Sequence, residues 1–132
     1  MTRRSVLTAL ALPVLATITL TVAACGGDDS SSTPAETIPP GAVVITAGPG
    51  IIFDKPEYTA TAGEVVIGYT NKDSTRHTLL VKGADGVVVG NKLEVNSNGD
   101  VDTGTYTLTP GTYTIYCDVP GHGAMTAKLI VS

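Results

Sequence analysis

Short apolar runs separated by turn residues recur along residues 41–132. The runs are rich in Val, Ile, Thr and Tyr, and apolar and polar positions alternate in residues 57–61 and 103–108. Most runs end at Gly, Pro, Asn or Asp, which are residues that turns favour. Because β-branched and aromatic residues suit a pleated, half-buried surface, this pattern predicts strands and no amphipathic helix.

The predicted strands follow one another closely. They cover residues 42–46, 57–61, 64–70, 77–81, 87–89 with 93–95, 103–108, 112–116 and 125–131. About eight strands with turn signals between them are typical of an antiparallel Greek-key β-sandwich or barrel. The predicted fold class is therefore all-β, and residues 41–132 suffice for one domain with a modest core.

The N-terminal residues have the pattern of an export signal. Arg3 and Arg4 precede an uncharged, largely apolar run, and Val-Ala-Ala at 22–24 stands directly before Cys25. This resembles the lipobox of bacterial lipoproteins, so residues 1–24 are predicted to be a signal peptide and Cys25 to be lipidated. An ordinary secretory signal or an uncleaved anchor would share the pattern. Every alternative predicts an exported domain, in the periplasm or on the outer face of the cell membrane.

Residues 26–40 lack apolar periodicity and consist mainly of Gly, Ser, Asp, Thr and Pro. Such a segment cannot bury enough surface to offset the entropy of ordering it. Together with Cys25 it is predicted to be a flexible tether, residues 25–40, that holds the domain of residues 41–132 near the membrane.

Composition excludes one class of partner. The chain has 132 residues, a formal net charge of −4 and no Trp. It therefore has neither a basic face for phosphates nor aromatic residues interleaved to stack bases, and no nucleic-acid partner is expected. We expect a monomer with a core of Val, Ile, Leu and Ala.

The chemically distinctive residues are concentrated near the C-terminus. Cys117, His122 and Met125 lie within nine residues, and His77 lies forty positions before Cys117. Apart from the initiator and Cys25, these are all the Met, Cys and His residues of the chain. One thiolate, two imidazoles and a weak thioether form a donor set that selects copper in an electron-transfer site.

Several motifs around these residues occur in the same order in a known family. The first is Gly63-Glu64-x-Val66-x-Gly68-x-Thr70-Asn71, followed by His77. The others are Pro110-Gly111-Thr112-Tyr113-x-x-Tyr116-Cys117 and the final pattern Cys117-x4-His122-x2-Met125. With these motifs, residues 41–132 resemble a cupredoxin, the small blue copper family that includes plastocyanin, azurin and pseudoazurin.

The resemblance implies a role for each of the four residues. Cys117 would be the thiolate ligand, His77 and His122 the imidazole ligands, and Met125 a long axial ligand of one copper ion that alternates between Cu(I) and Cu(II). The implied function is to carry single electrons between redox proteins at the membrane, without enzymatic activity. A copper-storage or copper-delivery lipoprotein is the alternative, and a metal-free β-sandwich adhesion module is a third.

The loop departs from the family pattern in its spacing. The gap from Cys117 to His122 is similar to that of azurin, whereas the distance from Cys117 to Met125 is similar to that of plastocyanin. His122 and Met125 are separated by two residues, as in the copper loop of terminal oxidase subunit two. That dinuclear centre needs a second Cys, where this chain has Gly121, so a mononuclear site is expected.

Residues beside the ligands also depart from the pattern. The family often has Asn after the first His and Ser or Thr after the Cys, whereas this chain has Thr78 and Asp118. We hypothesise that the Thr78 hydroxyl donates to the Asp118 carboxylate, which would favour Cu(II) and lower the reduction potential. Asn71, at the end of the preceding strand, is also expected to lie close to the ligands.

Each proposed ligand also has a structural explanation when taken alone. His77 could be a surface histidine, Cys117 a buried apolar thiol or the disulfide partner of Cys25, and Met125 a core residue. Zinc is the alternative metal, but its structural sites use four N, S or O ligands and rarely Met. The four residues occurring together at family spacing favour copper.

Overall fold

The computed structural model describes residues 36–132, which form eight strands. These are β1 (Val43–Ala47), β2 (Glu57–Ala60), β3 (Gly63–Asn71), β4 (His77–Lys82), β5 (Val88–Val95), β6 (Val101–Leu108), β7 (Gly111–Tyr116) and β8 (Thr126–Val131). Within this range no helix is long and apolar enough to cross a membrane. The predicted all-β class is confirmed. Outside these strands, Phe53 forms an isolated bridge with Ala47.

The strands form two sheets, in the orders β1-β3-β6 and β2-β8-β7-β4-β5. Both sheets are mixed, because β1 pairs with β3 and β2 pairs with β8 in parallel, while the other pairs are antiparallel. The prediction of a β-sandwich is confirmed, but the two parallel pairs were not expected. Alternating apolar residues identify a strand without specifying the direction of its partner.

The core lies between the two sheets and follows the alternation of the strands. In β3, Val65, Ile67 and Tyr69 are buried, and in β8 Leu129 and Val131 are buried. Successive side chains of a strand point to opposite faces, so each strand contributes every second residue to the core. This packing fixes the strands whose ends carry the predicted ligands.

Three strand ends bring the predicted ligands to one end of the larger sheet. β4 begins at His77, β7 ends directly before Cys117, and β8 begins directly after Met125. β7 lies between the other two strands, with Tyr116 opposite both Leu80 of β4 and Thr126 of β8. The hydrogen-bonded register of the sheet therefore sets the relative positions of the three segments.

The N-terminal segment of the described range lies against the smaller sheet. Ile38 is half-buried, and a Cβ added to Gly68 would come within 2.4 Å of its Cγ2 atom. Glu36 accepts a hydrogen bond from the hydroxyl group of Thr103. Residues 36–40, assigned by sequence to the tether, thus contact β3 and β6. The predicted signal peptide, Cys25 and the rest of the tether lie outside the described residues.

Gly68→Ala tests the packing of this segment. The added methyl group should displace Ile38 and lower the free energy of unfolding by about 1–3 kcal/mol, the usual cost of overpacking. In an Ile38→Ala background the same substitution should cost less, because the colliding side chain has been removed. Chemical denaturation of the four proteins measures both effects. Equal costs in the two backgrounds would contradict this packing.

Candidate metal centre

Three of the predicted ligands converge in the interior. The donor atoms of His77, Cys117 and His122 all lie within 4.8 Å of one another. The His77 residue is 0% exposed, Cys117 is 4% exposed and His122 is 6% exposed. His77 and Cys117 are forty residues apart in the sequence, and the pairing of β4 with β7 brings them together.

The loop after Cys117 is closed on itself by backbone hydrogen bonds. The N–H of His122 donates to the carbonyl of Val119 at 3.0 Å, and the N–H of Met125 donates to the carbonyl of His122 at 2.8 Å. The N–H of Cys117 then donates to the carbonyl of Met125 at 3.2 Å. Gly121 has a φ of 90°, a conformation that favours glycine. The loop thereby returns Met125, which is 1% exposed, to the side of Cys117.

The Cys117 sulfur lies among polar groups of both ligand segments. The backbone N–H of Thr78 donates to Sγ at 3.4 Å, and Nδ1 of His122 lies 3.5 Å from Sγ. Cys117 is a free thiol within the described range. The thiol therefore faces the two imidazoles, as a shared metal ion would require.

The His77 imidazole is buried without hydrogen-bond partners. Neither Nδ1 nor Nε2 has one, and the His122 ring is 4.9 Å away between centroids. Burial, and secondly the proximity of His122, lower the pKa of His77, which keeps the imidazole neutral at neutral pH. Buried polar atoms without partners are rare in folded proteins and call for an explanation. A metal ion bound to one nitrogen would supply it.

The turn before His77 is built by Asn71 and Asp73. The Asn71 amide donates to the carbonyl of Thr75 at 2.8 Å and accepts the N–H of Asp73 at 2.9 Å. Asn71 is 1% exposed. Its observed hydrogen bonds thus shape the turn that presents His77. They do not involve a ligand atom.

Asp73 was missed by the sequence interpretation. Its Oδ2 atom lies 3.8 Å from Nε2 of His77 and accepts the N–H of Gly50 at 2.8 Å. Hydrogen bonds from the N–H groups of Thr75 and Gly50 hold its pKa below the ordinary value. The only available signal in the sequence was an acidic residue four positions before a predicted ligand.

Thr78 and Asp118 join the two ligand segments. The Thr78 hydroxyl donates to Oδ1 of Asp118 at 2.7 Å, and the Asp118 N–H donates to that hydroxyl at 3.0 Å. This is the hydrogen bond expected from the sequence. Because the hydroxyl proton of Thr78 is directed to the carboxylate, the only hydrogen bond that Thr78 donates to the Cys117 sulfur comes from its backbone N–H.

Lys92 was not anticipated as a partner of Asp118. Its ammonium group lies 3.0 Å from Oδ2, and both side chains are partly exposed. The hydrogen bond from Thr78 and then the ammonium group of Lys92 hold the pKa of Asp118 below its ordinary value. The carboxylate is therefore ionised at neutral pH, and its negative charge is partly neutralised. This reduces the effect on a nearby metal that the sequence interpretation assigned to Asp118.

The donor set fits copper better than zinc. It offers two imidazoles, one thiol and a nearby buried thioether, and the cluster includes no carboxylate. Structural zinc sites use four N, S or O ligands, whereas soft sulfur donors with two imidazoles suit copper in electron-transfer sites. The nitrogens of His77, which lack other partners, agree with a metal-binding role.

No family model matches the chain, and no curated protein matches it by sequence. Solved structures do resemble it. Auracyanin A, a "blue" copper protein from the green thermophilic photosynthetic bacterium Chloroflexus aurantiacus, is 29% identical with a TM-score of 0.60, over 69% of this chain and 98% of that protein. Reduced auracyanin from Roseiflexus castenholzii is 21% identical, with a TM-score of 0.61 over 69% and 96% of the two chains.

Amicyanin from Paracoccus versutus is 23% identical to this chain, with a TM-score of 0.56 over 74% of this chain and 88% of the amicyanin. The similarity thus extends over most of each of these small proteins and includes the β-sandwich as a whole. The fold agrees with that of these proteins, and the predicted His, Cys, His and Met residues lie together at one end of it, so the resemblance to the cupredoxins predicted from the sequence is confirmed.

Proposed function

We propose that this protein is a mononuclear type 1 copper protein that carries single electrons between redox partners outside the cytoplasm. The convergence of His77, Cys117 and His122 within 4.8 Å in the interior carries the proposal. Met125, buried beside Cys117, would supply its thioether as the fourth ligand. The description of the 29% identical auracyanin A as a "blue" copper protein supports the choice of metal.

When bound, copper supplies the one-electron couple between Cu(I) and Cu(II). The protein holds the ligands on three adjacent strands and the closed loop between β7 and β8. A rigid site limits the rearrangement that accompanies a change of charge, which favours rapid electron transfer. The burial of His77 and Cys117 excludes water from these ligands. These features are sufficient for a carrier and do not require a substrate pocket.

His122 is the proposed exit for the electron. It is the most exposed of the four proposed ligands, at 6%, and its neighbours Gly121 and Gly123 are exposed. Small residues there let a partner's redox centre approach the imidazole closely. The donor and acceptor are proposed to be redox proteins at the membrane, with the lipidated Cys25 as the anchor of this monomer.

Storage or delivery of copper is the alternative, and it would use the same ligands. Addition of Cu(II) to the purified exported domain distinguishes the two functions. We expect a strong visible thiolate-to-Cu(II) band and a reversible one-electron reduction. A Cys117→Ser variant should lose the band, because the thiolate is its origin. Tight Cu(I) binding by the wild type without this band would support storage or delivery instead.

His77→Leu separates the metal-binding role of the imidazole from a structural role. The metal-free variant should be as stable as the wild type or up to about 3 kcal/mol more stable, because at least one buried nitrogen without a hydrogen-bond partner is removed. Thermal unfolding of both proteins with and without copper is the measurement. The wild type should be stabilised by copper and the variant should not. A large loss of metal-free stability would contradict this assignment.

Asp118→Asn and Lys92→Gln should shift the reduction potential in opposite directions. Removing the carboxylate should raise the potential, whereas removing its ammonium partner should lower it, since the uncompensated negative charge favours Cu(II). Each shift should correspond to about 1 kcal/mol or less, because the pair is partly exposed. Voltammetry of the three proteins measures the shifts, and shifts of the same sign would be incompatible with the charge argument.

A further inference from the structure

The ligand set does not specify which nitrogen of the His77 ring carries the proton. A neutral imidazole has one N–H donor and one nitrogen that can bind a metal. Both nitrogens of His77 are buried and lack hydrogen-bond partners. The groups beside the ring must therefore decide which nitrogen carries the proton and which one faces the metal.

Asp73 lies on one side of this ring. Its Oδ2 atom is 3.8 Å from Nε2 of His77. On the other ligand segment, Nδ1 of His122 is the nitrogen that faces the Cys117 sulfur, at 3.5 Å. A proton on Nε2 of His77 would point toward the carboxylate and leave the lone pair of Nδ1 for the metal.

The carboxylate of Asp73 is held in place from two directions. Oδ2 accepts the N–H of Gly50 at 2.8 Å, and Oδ1 accepts the N–H of Thr75 at 3.0 Å. The Asp73 backbone N–H is bound by the side chain of buried Asn71. Only 16% of the Asp73 side chain is exposed. The Asp73 carboxylate is thus a hydrogen-bond acceptor held in a fixed position beside His77, whereas a solvated surface carboxylate would be free to move.

We propose that Asp73 is a positioning residue for the copper site. Its carboxylate accepts the Nε2–H of His77, holds the tautomer that presents Nδ1 to the metal, and increases the electron donation of the imidazole. Metal-bound histidines commonly donate their second N–H to a carboxylate in this way. The contact requires the two atoms to approach by less than about 1 Å, given ordinary N–H···O distances. This inference rests on the proposed copper function.

Asp73→Asn tests the acceptor role. The Asn oxygen can keep one of the two loop hydrogen bonds, but its amide nitrogen cannot accept a hydrogen bond from the N–H of Gly50 or His77. We expect Cu(II) binding about tenfold to a hundredfold weaker than in the wild type. We also expect a higher reduction potential, because the weaker imidazole donor favours Cu(II) less.

Asp100→Asn is the matched control. The Asp100 carboxylate also accepts two backbone N–H groups, from Asn96 at 2.8 Å and Ser97 at 3.0 Å, but its recorded hydrogen bonds reach no predicted ligand. This variant should keep the wild-type affinity and potential. Equal effects in both variants, or wild-type values for Asp73→Asn, would overturn the proposal.

The wild-type protein provides a test that does not depend on a variant. Nitrogen-15 NMR of the Cu(I)-loaded and metal-free proteins at neutral pH identifies the protonated nitrogen of His77. A proton on Nε2 is expected in both forms, and a proton on Nδ1 would overturn the inference even if Asp73→Asn did not fold. Absence of the visible copper band in the wild type would reject the proposed function separately, and the metal-free spectrum would still decide the role of Asp73.

Discussion

The antiparallel pairing of β4 with β7 is the constraint on which the rest of the site depends. With Leu80 opposite Tyr116, the start of β4 lies alongside the segment that follows β7, and the donor atoms of His77 and Cys117 come within 4.8 Å. His77 and Cys117 are brought together in this way. A shift of one residue in the register would turn the inward side chains to the opposite face. The alternating buried side chains of β4 and β7 therefore fix the register, and with it the geometry of the metal centre as well as that of the core.

The site also carries a cost that the core must offset. The neutral imidazole of His77 is fully buried with two unsatisfied nitrogens, and an unsatisfied buried polar group costs about 1–3 kcal/mol. Large buried side chains on the strands that form the site, such as Leu79, Ile115 and Leu129, supply the opposing burial energy. The metal-free fold is thus prepared for a ligand that would remove part of this cost.

Two carboxylates lie beside the ligand cluster, and their surroundings differ. Asp118 lies on the thiol side and shares its charge with the Lys92 ammonium group. Asp73 lies on the imidazole side, where its carboxylate accepts hydrogen bonds from the backbone N–H groups of Gly50 and Thr75 and not from a charged side chain. Charge compensation should therefore weaken the influence of Asp118 on the metal more than that of Asp73. The two sides of the site can be tuned separately.

The sequence alone determined the strands, the β-sandwich class and the four candidate ligands, because strand periodicity and the chemistry of a short loop are local properties. Tertiary structure decided which remote segments meet. It placed Lys92 beside Asp118, Asp73 beside His77 and Ile38 against Gly68, and it made two strand pairs parallel. These contacts depend on strand order and register across the sandwich, which the spacing of apolar residues in any one segment does not specify.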